Sequence, residues 1–192
     1  IPDAATKKAT MKSCRAYYDT TSKWLTKQHA GTVVIAGSDY YWTYLRDTAV
    51  AAGNGGSSDD PSWISLQLVD GLHSAITTLE KAHHQVVVIM PTPVFYYPYK
   101  WSLKSCSTAS ILTGHCKTEM PLQFALDRQT PARLGIEAAI VGTSATTLNL
   151  SQILCPNEMC GTDSNIIWTV DGTHLSTTTS RFLTPDLIKA LR

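Results

Sequence analysis

Apolar residues occur along this chain in short dense runs and in helical stripes, and the two kinds alternate. Thr32–Ala36 reads TVVIA, and residues 86–90 read VVVIM. Runs of five, rich in β-branched residues and bounded by turn residues, predict strands buried on both faces. Residues 146–150 and 166–170 predict two more. Between these runs the spacing becomes helical. Tyr17, Tyr18, Trp24 and Leu25 predict a helix over about 13–29 whose aromatic face joins the core. Leu66, Val69, Leu72, Ile76 and Leu79 predict a long helix that opens at Pro61 or Ser62 and runs to His83. Another falls within 121–139, its limits left open by Pro131 and Gly135. Phe182, Leu183, Leu187, Ile188 and Leu191 predict a closing helical segment, interrupted by Pro185. Residues 1–12 read as a poorly fixed polar arm. Residues 53–60 read as a flexible Gly/Ser/Asp loop, and 102–120 as a polar, Cys-bearing insertion.

Strands separated by helix patterns predict the α/β class with a parallel sheet. Sites in such sheets lie at the carboxyl ends of the strands. Three segments follow predicted strand ends: Gly37-Ser38-Asp39, Pro91-Thr92-Pro93 and Asp171-Gly172-Thr173-His174. In the last, Asp171 can accept a hydrogen bond from one ring nitrogen of His174, leaving the other as a proton acceptor. That is the base and orienting acid of a nucleophilic triad. The plainer reading is an Asp-Gly turn carrying a loop histidine.

Aromatic residues crowd two of these loops. Tyr40, Tyr41, Trp42 and Tyr44 follow the first, and Phe95, Tyr96, Tyr97, Tyr99 and Trp101 follow the second. They are either packed surface loops or platforms on which pyranose rings or acyl chains lie.

The 192 residues predict one domain with a core of useful size. With 43% hydrophobic and 16% charged residues the chain is an ordinary folded one. A net charge of +1 gives no electrostatic case for nucleic acid. No apolar run approaches the length of a membrane span. Five cysteines change the picture. Cys106 and Cys116 lie in one polar loop and Cys155 and Cys160 in another, which suits two local disulfides. The C-x-x-C pairs and neighbouring His that zinc would need are absent, so neither metal nor cofactor is expected. Cys14 is then left over. Two such disulfides predict a compartment outside the cytoplasm.

Asp171-Gly172-Thr173-His174-Leu175-Ser176 resembles the last block of the SGNH hydrolases, whose catalytic Asp and His are written D-x-x-H. The likeness extends to Val33–Trp42, similar to a strand-to-loop block in the middle of that fold, and to Val86–Pro93, similar to its next strand and Pro-bearing loop. It covers most of residues 14 to 185. Cys155 and Cys160, just before the last block, resemble one branch: the extracytoplasmic SGNH domain fused to bacterial acyltransferase-three membrane proteins, which O-acylate surface glycans. The resemblance implies a three-layer α/β sandwich with a mainly parallel sheet, the flavodoxin-like SGNH fold. It implies an O-acetyltransferase or acetylesterase acting on a cell-envelope glycan, and a membrane acyltransferase domain fused upstream. Asp171 and His174 would be its orienting carboxylate and catalytic base, Gly37 and Ser38 would help hold the oxyanion, and the domain would stand in the periplasm or on the outer face of the cytoplasmic membrane. Tyr40, Tyr41, Trp42, Phe95 and Tyr96 would bind substrate.

The family's serine stands in a G-D-S block after its first strand, and this sequence has none. Four explanations stand side by side. The serine block precedes Ile1, the domain being incomplete at its N-terminus, as its first residues and unpaired Cys14 suggest. Ser38, in a tight turn after a strand, is the nucleophile. Ser144, in the Gly142-Thr143-Ser144 turn, is. Or the domain binds carbohydrate without catalysis.

Overall fold

The structure, a computed structural model, describes residues 4–43, 50–51, 57–58, 60–101, 106–113, 115–162 and 174–191. It divides into two compact units, residues 1–88 with 131–147 and residues 89–130 with 148–192.

The first unit begins with helix α1, Ala4–Leu25. The expected arm at 1–12 is therefore helical from Ala4. Alanine, lysine and methionine fill this stretch, and their propensity supports a helix where no apolar stripe does. The aromatic face of α1 also differs from expectation. Tyr17, Tyr18 and Trp24 are 74%, 49% and 59% exposed, so among the described residues they are not core.

Strand β1, Thr32–Ala36, lies beside β4, Gln85–Ile89, which lies beside β6, Thr146–Leu148. The Gln85 N–H donates to the Gly31 carbonyl (3.0 Å), at the starts of β1 and β4. The Met90 N–H donates to the Leu148 carbonyl (2.9 Å), at the ends of β4 and β6. Start meets start and end meets end, so the three strands are parallel. The fourth predicted strand, 166–170, lies outside the described residues. The central strand has the character its sequence promised: Val86, Val87 and Val88 are buried. The β1 run, equally apolar, alternates between exposed and half-buried. Two-residue strands β2, Val50–Ala51, and β3, Ser57–Ser58, pair antiparallel on either side of 52–56.

Helix α3, Pro61–Lys81, starts where Asp60 caps it by accepting from the Ser62 and Trp63 N–H groups (2.7 and 3.2 Å). Proline follows at the first position, where its missing N–H costs nothing. Ile64, Ile76 and Leu79 are the buried residues, while Leu66 is exposed. The helix ends in a Schellman turn. His83 takes φ +64°, its N–H donates to Glu80, and the His84 N–H donates to Leu79. The buried His84 ring then faces two carbonyl oxygens, Leu25 at 2.9 Å from Nε2 and Gly31 at 3.3 Å from Nδ1. It ties the end of α1 to the start of β4.

Helix α5, Leu122–Ile140, runs through Pro131 without stopping. Ala132, Gly135, Ile136 and Ala139 fall on one face of its second half and are buried. The His73 ring donates from Nδ1 to the Ala139 carbonyl at 2.8 Å. The tautomer follows, since a carbonyl only accepts.

In the second unit, strand β5, Glu119–Pro121, pairs antiparallel with β7, Met159–Gly161, Met120 opposite Cys160. Helix α4, Thr108–Leu112, occupies part of the predicted insertion, and the short α6, Ser151–Leu154, leads to Cys155. Both expected disulfides are present: Cys106–Cys116 and Cys155–Cys160. Cys14 is free and exposed. Phe95, Met120, Leu122, Ala125, Leu150, Leu154, Cys155, Cys160 and Leu183 form the core of this unit. The chain closes with α7, Thr177–Phe182, and α8, Thr184–Ala190, the break falling next to Pro185. No described helix is long and apolar enough to cross a membrane.

Candidate functional site

The candidate residues divide between the units. Gly37, Ser38, Tyr40, Tyr41 and Trp42 belong to the first; Phe95, Tyr96 and His174 belong to the second.

In the first unit, Gly37-Ser38-Asp39 leaves the carboxyl end of β1 and enters α2, Tyr40–Thr43. The Tyr40 N–H donates to Ser38 Oγ at 3.1 Å, and the Trp42 N–H donates to the Asp39 carbonyl at 3.0 Å. These two bonds start the helix. They leave the Ser38 hydroxyl able to donate its own proton. Asp39 is buried. Space beside Gly37 is open: a Cβ there would meet nothing within 4 Å. Tyr40 and Tyr41 are about half exposed and meet edge to face, ring centroids 5.9 Å apart. Trp42 is half-buried, and a Cβ at Gly135 would fall inside its indole. Trp42 is thus a packing residue on α5, and Tyr40 and Tyr41 are the rings left at the surface.

In the second unit the Pro91-Thr92-Pro93 loop leaves the carboxyl end of β4. Gln129 of α5 holds it, donating from Nε2 to the Thr92 carbonyl at 2.6 Å. Phe95 is 3% exposed and lies in the core, so the substrate role expected of it gives way to packing. Tyr96 is half-buried and carries the Arg128 guanidinium over its ring, 4.6 Å from the centroid. Sequence pattern gives no sign of Arg128 or Gln129, since each gains meaning only from the loop that α5 meets.

Asp171 lies outside the described residues. His174 is exposed, on the turn that leads into α7. Two local features fix that turn. Leu175 packs against the core of the second unit. Ser176 caps α7, its Oγ accepting the Thr179 N–H at 3.1 Å. The sequence Leu-Ser after the histidine therefore supplies an anchor and a cap, and the imidazole stands on a defined corner.

Ser144 is placed otherwise. Gly142, at φ +77°, ends α5, and the Ser144 hydroxyl and N–H both donate to Glu80 Oε1 (2.9 and 2.8 Å). This turn enters β6 at its amino end, the edge of the sheet opposite to strand carboxyl ends. Its geometry is that of a helix stop. Among the described residues no group of three or more His, Cys, Asp or Glu is placed to hold a metal ion.

Parallel strands with helices between them, and candidate loops at the strand carboxyl ends, define an α/β domain of the flavodoxin-like type. A family model described as SGNH domain (fused to AT3 domains) matches residues 1–189. The chain belongs to that family, a branch of the SGNH hydrolase superfamily associated with acyltransferase-three domains. No curated protein and no solved structure matches it.

Proposed function

We propose that this chain is the serine acyl-transfer domain of an O-acetyltransferase or acetylesterase that acts on a cell-envelope glycan. Membership of the SGNH family carries the reading, joined to the resemblance of the Asp171–Ser176 block to the D-x-x-H block of SGNH hydrolases. The anchored, exposed His174 supports it. In this reading Asp171 accepts from His174 Nδ1, and Nε2 takes the proton of a serine hydroxyl as that oxygen attacks the acyl carbonyl. Backbone N–H groups near Gly37 and Ser38 stabilise the oxyanion. Collapse releases the donor's leaving group with the proton from His174 and leaves an acyl-serine. A sugar hydroxyl or water then gives its proton to His174 and takes the acyl group, and His174 returns the proton to the departing serine oxygen. The two disulfides support a site of action outside the cytoplasm, and the family's association with AT3 domains supports a fused membrane acyltransferase.

The absence of a G-D-S block favours a second reading, a carbohydrate-binding domain that keeps the fold without catalysis. A fluorophosphonate probe on the full-length protein separates the two. A serine adduct supports acyl transfer, and mapping the labelled peptide identifies the nucleophile. No adduct leaves the binding domain.

A further inference from the structure

Arg128 is held in an unusual way for a cation on a helix surface. Its guanidinium carbon stands 4.6 Å above the Tyr96 ring and 5.9 Å from the Phe124 ring centroid. Phe124 in turn packs against the core, with Tyr99 edge-on to it at 5.0 Å. Arg128 Nε is buried and has no hydrogen-bond partner among the described residues. The guanidinium also forms no ion pair among them. Its sequence neighbour Asp127 accepts from Gln123 Nε2 at 2.6 Å instead. A stacked guanidinium is pre-oriented, and its planar fork matches a carboxylate in two parallel bonds. Tyr97, 82% exposed, and Lys100, also exposed, stand on the same loop as Tyr96. An exposed tyrosine next in sequence to the ring that carries a fixed guanidinium suits a sugar with an acid group. The histidine turn shares this framework, because Phe124 and Leu175 pack on one core cluster.

We infer that Arg128, seated on Tyr96 and Phe124, is a recognition site for the carboxylate of an acidic glycan, a polymer containing uronic-acid units. The inference rests on the acyl-transfer reading for its setting and names the substrate class of that domain. Arg128 binds the acidic sugar and takes no part in proton transfer.

The test is a titration of the full-length protein with oligogalacturonate and with the uncharged galactose oligomer of equal length, followed by calorimetry. The expected result is binding of the acidic oligomer that weakens as salt is raised, with the neutral oligomer weaker by about tenfold or more. Arg128→Gln should remove that preference. Arg128→Lys, which keeps the charge and loses the fork, should restore only part of it. Equal affinity for the two oligomers overturns the proposal. So does an acid preference that survives Arg128→Gln. Loss of thermal stability in Arg128→Gln, with no acid preference in the parent, assigns the guanidinium to a carboxylate of the chain itself and also overturns it. Serine labelling is read separately: labelling without acid preference ends the subsite alone, and acid preference without labelling ends the acyl-transfer reading alone.

Discussion

Gln129, fully buried in α5, donates its side-chain N–H to the Thr92 carbonyl at 2.6 Å. One bond thus fastens a helix to the loop that leaves the central strand. Removing it strands a carbonyl and frees the Pro91–Pro93 segment. Gln129→Leu should lower unfolding free energy by about 1–3 kcal/mol, measured by urea denaturation. A variant as stable as the parent would show that the loop holds itself.

Gly135 is occupied from outside by the Trp42 indole. A methyl group there must push the ring or the helix away, and overpacking of this kind costs about 1–3 kcal/mol. Gly135→Ala should be destabilising alone and much less so combined with Trp42→Leu, the non-additivity expected of residues in contact. Additive effects in a double-mutant cycle would contradict the packing described.

His83 sits in the left-handed region at φ +64°, in the position of a Schellman turn where glycine is preferred. Its side chain is exposed. His83→Gly should therefore stabilise the protein, by up to about 1 kcal/mol after the greater chain entropy of glycine is set against the relieved strain. A lower melting temperature would mean that the imidazole makes a contact worth more than the strain.

His174→Ala should abolish acyl turnover while leaving the melting temperature close to that of the parent, since the residue is exposed and Leu175 does the anchoring. Asp171→Asn should slow turnover by about 10³–10⁴-fold, the cost of losing the orienting carboxylate in a triad. Undiminished turnover in the His174 variant would remove the acid–base assignment. Leu175→Ala offers a contrast: it should loosen the turn and lower both stability and turnover.

The fold was legible wherever one strong local signal stood alone. β1 was readable to the residue because TVVIA lies between two glycines. The start of α3 was readable because Asp60 and Pro61 are cap and first-turn residues at once. Signals that need a partner were not. Tyr17, Tyr18 and Trp24 recur like a buried face, yet nothing in the pattern says whether another element covers them. Phe95 and Tyr96 look alike in the sequence, and only the fold puts the first in the core and the second under Arg128. Pro131 leaves the limits of its helix open in the sequence, but a helix tolerates the lost bond when buried residues on both sides of it pack, as Gln129 and Ala132 do here. The Asp171-Gly-Thr-His-Leu-Ser block singles out His174 in the sequence, and the structure adds that Leu175 packs and Ser176 caps beside it.

Cys155 and Cys160 are both fully buried in the core of the second unit. Such a bridge is part of the packing and not an external staple. With the thiols reduced, two unbonded sulfurs would have to share a space shaped for one bond, so reduction would loosen this core as well as free a loop. The redox state of the surroundings is thereby coupled to how well the second unit packs.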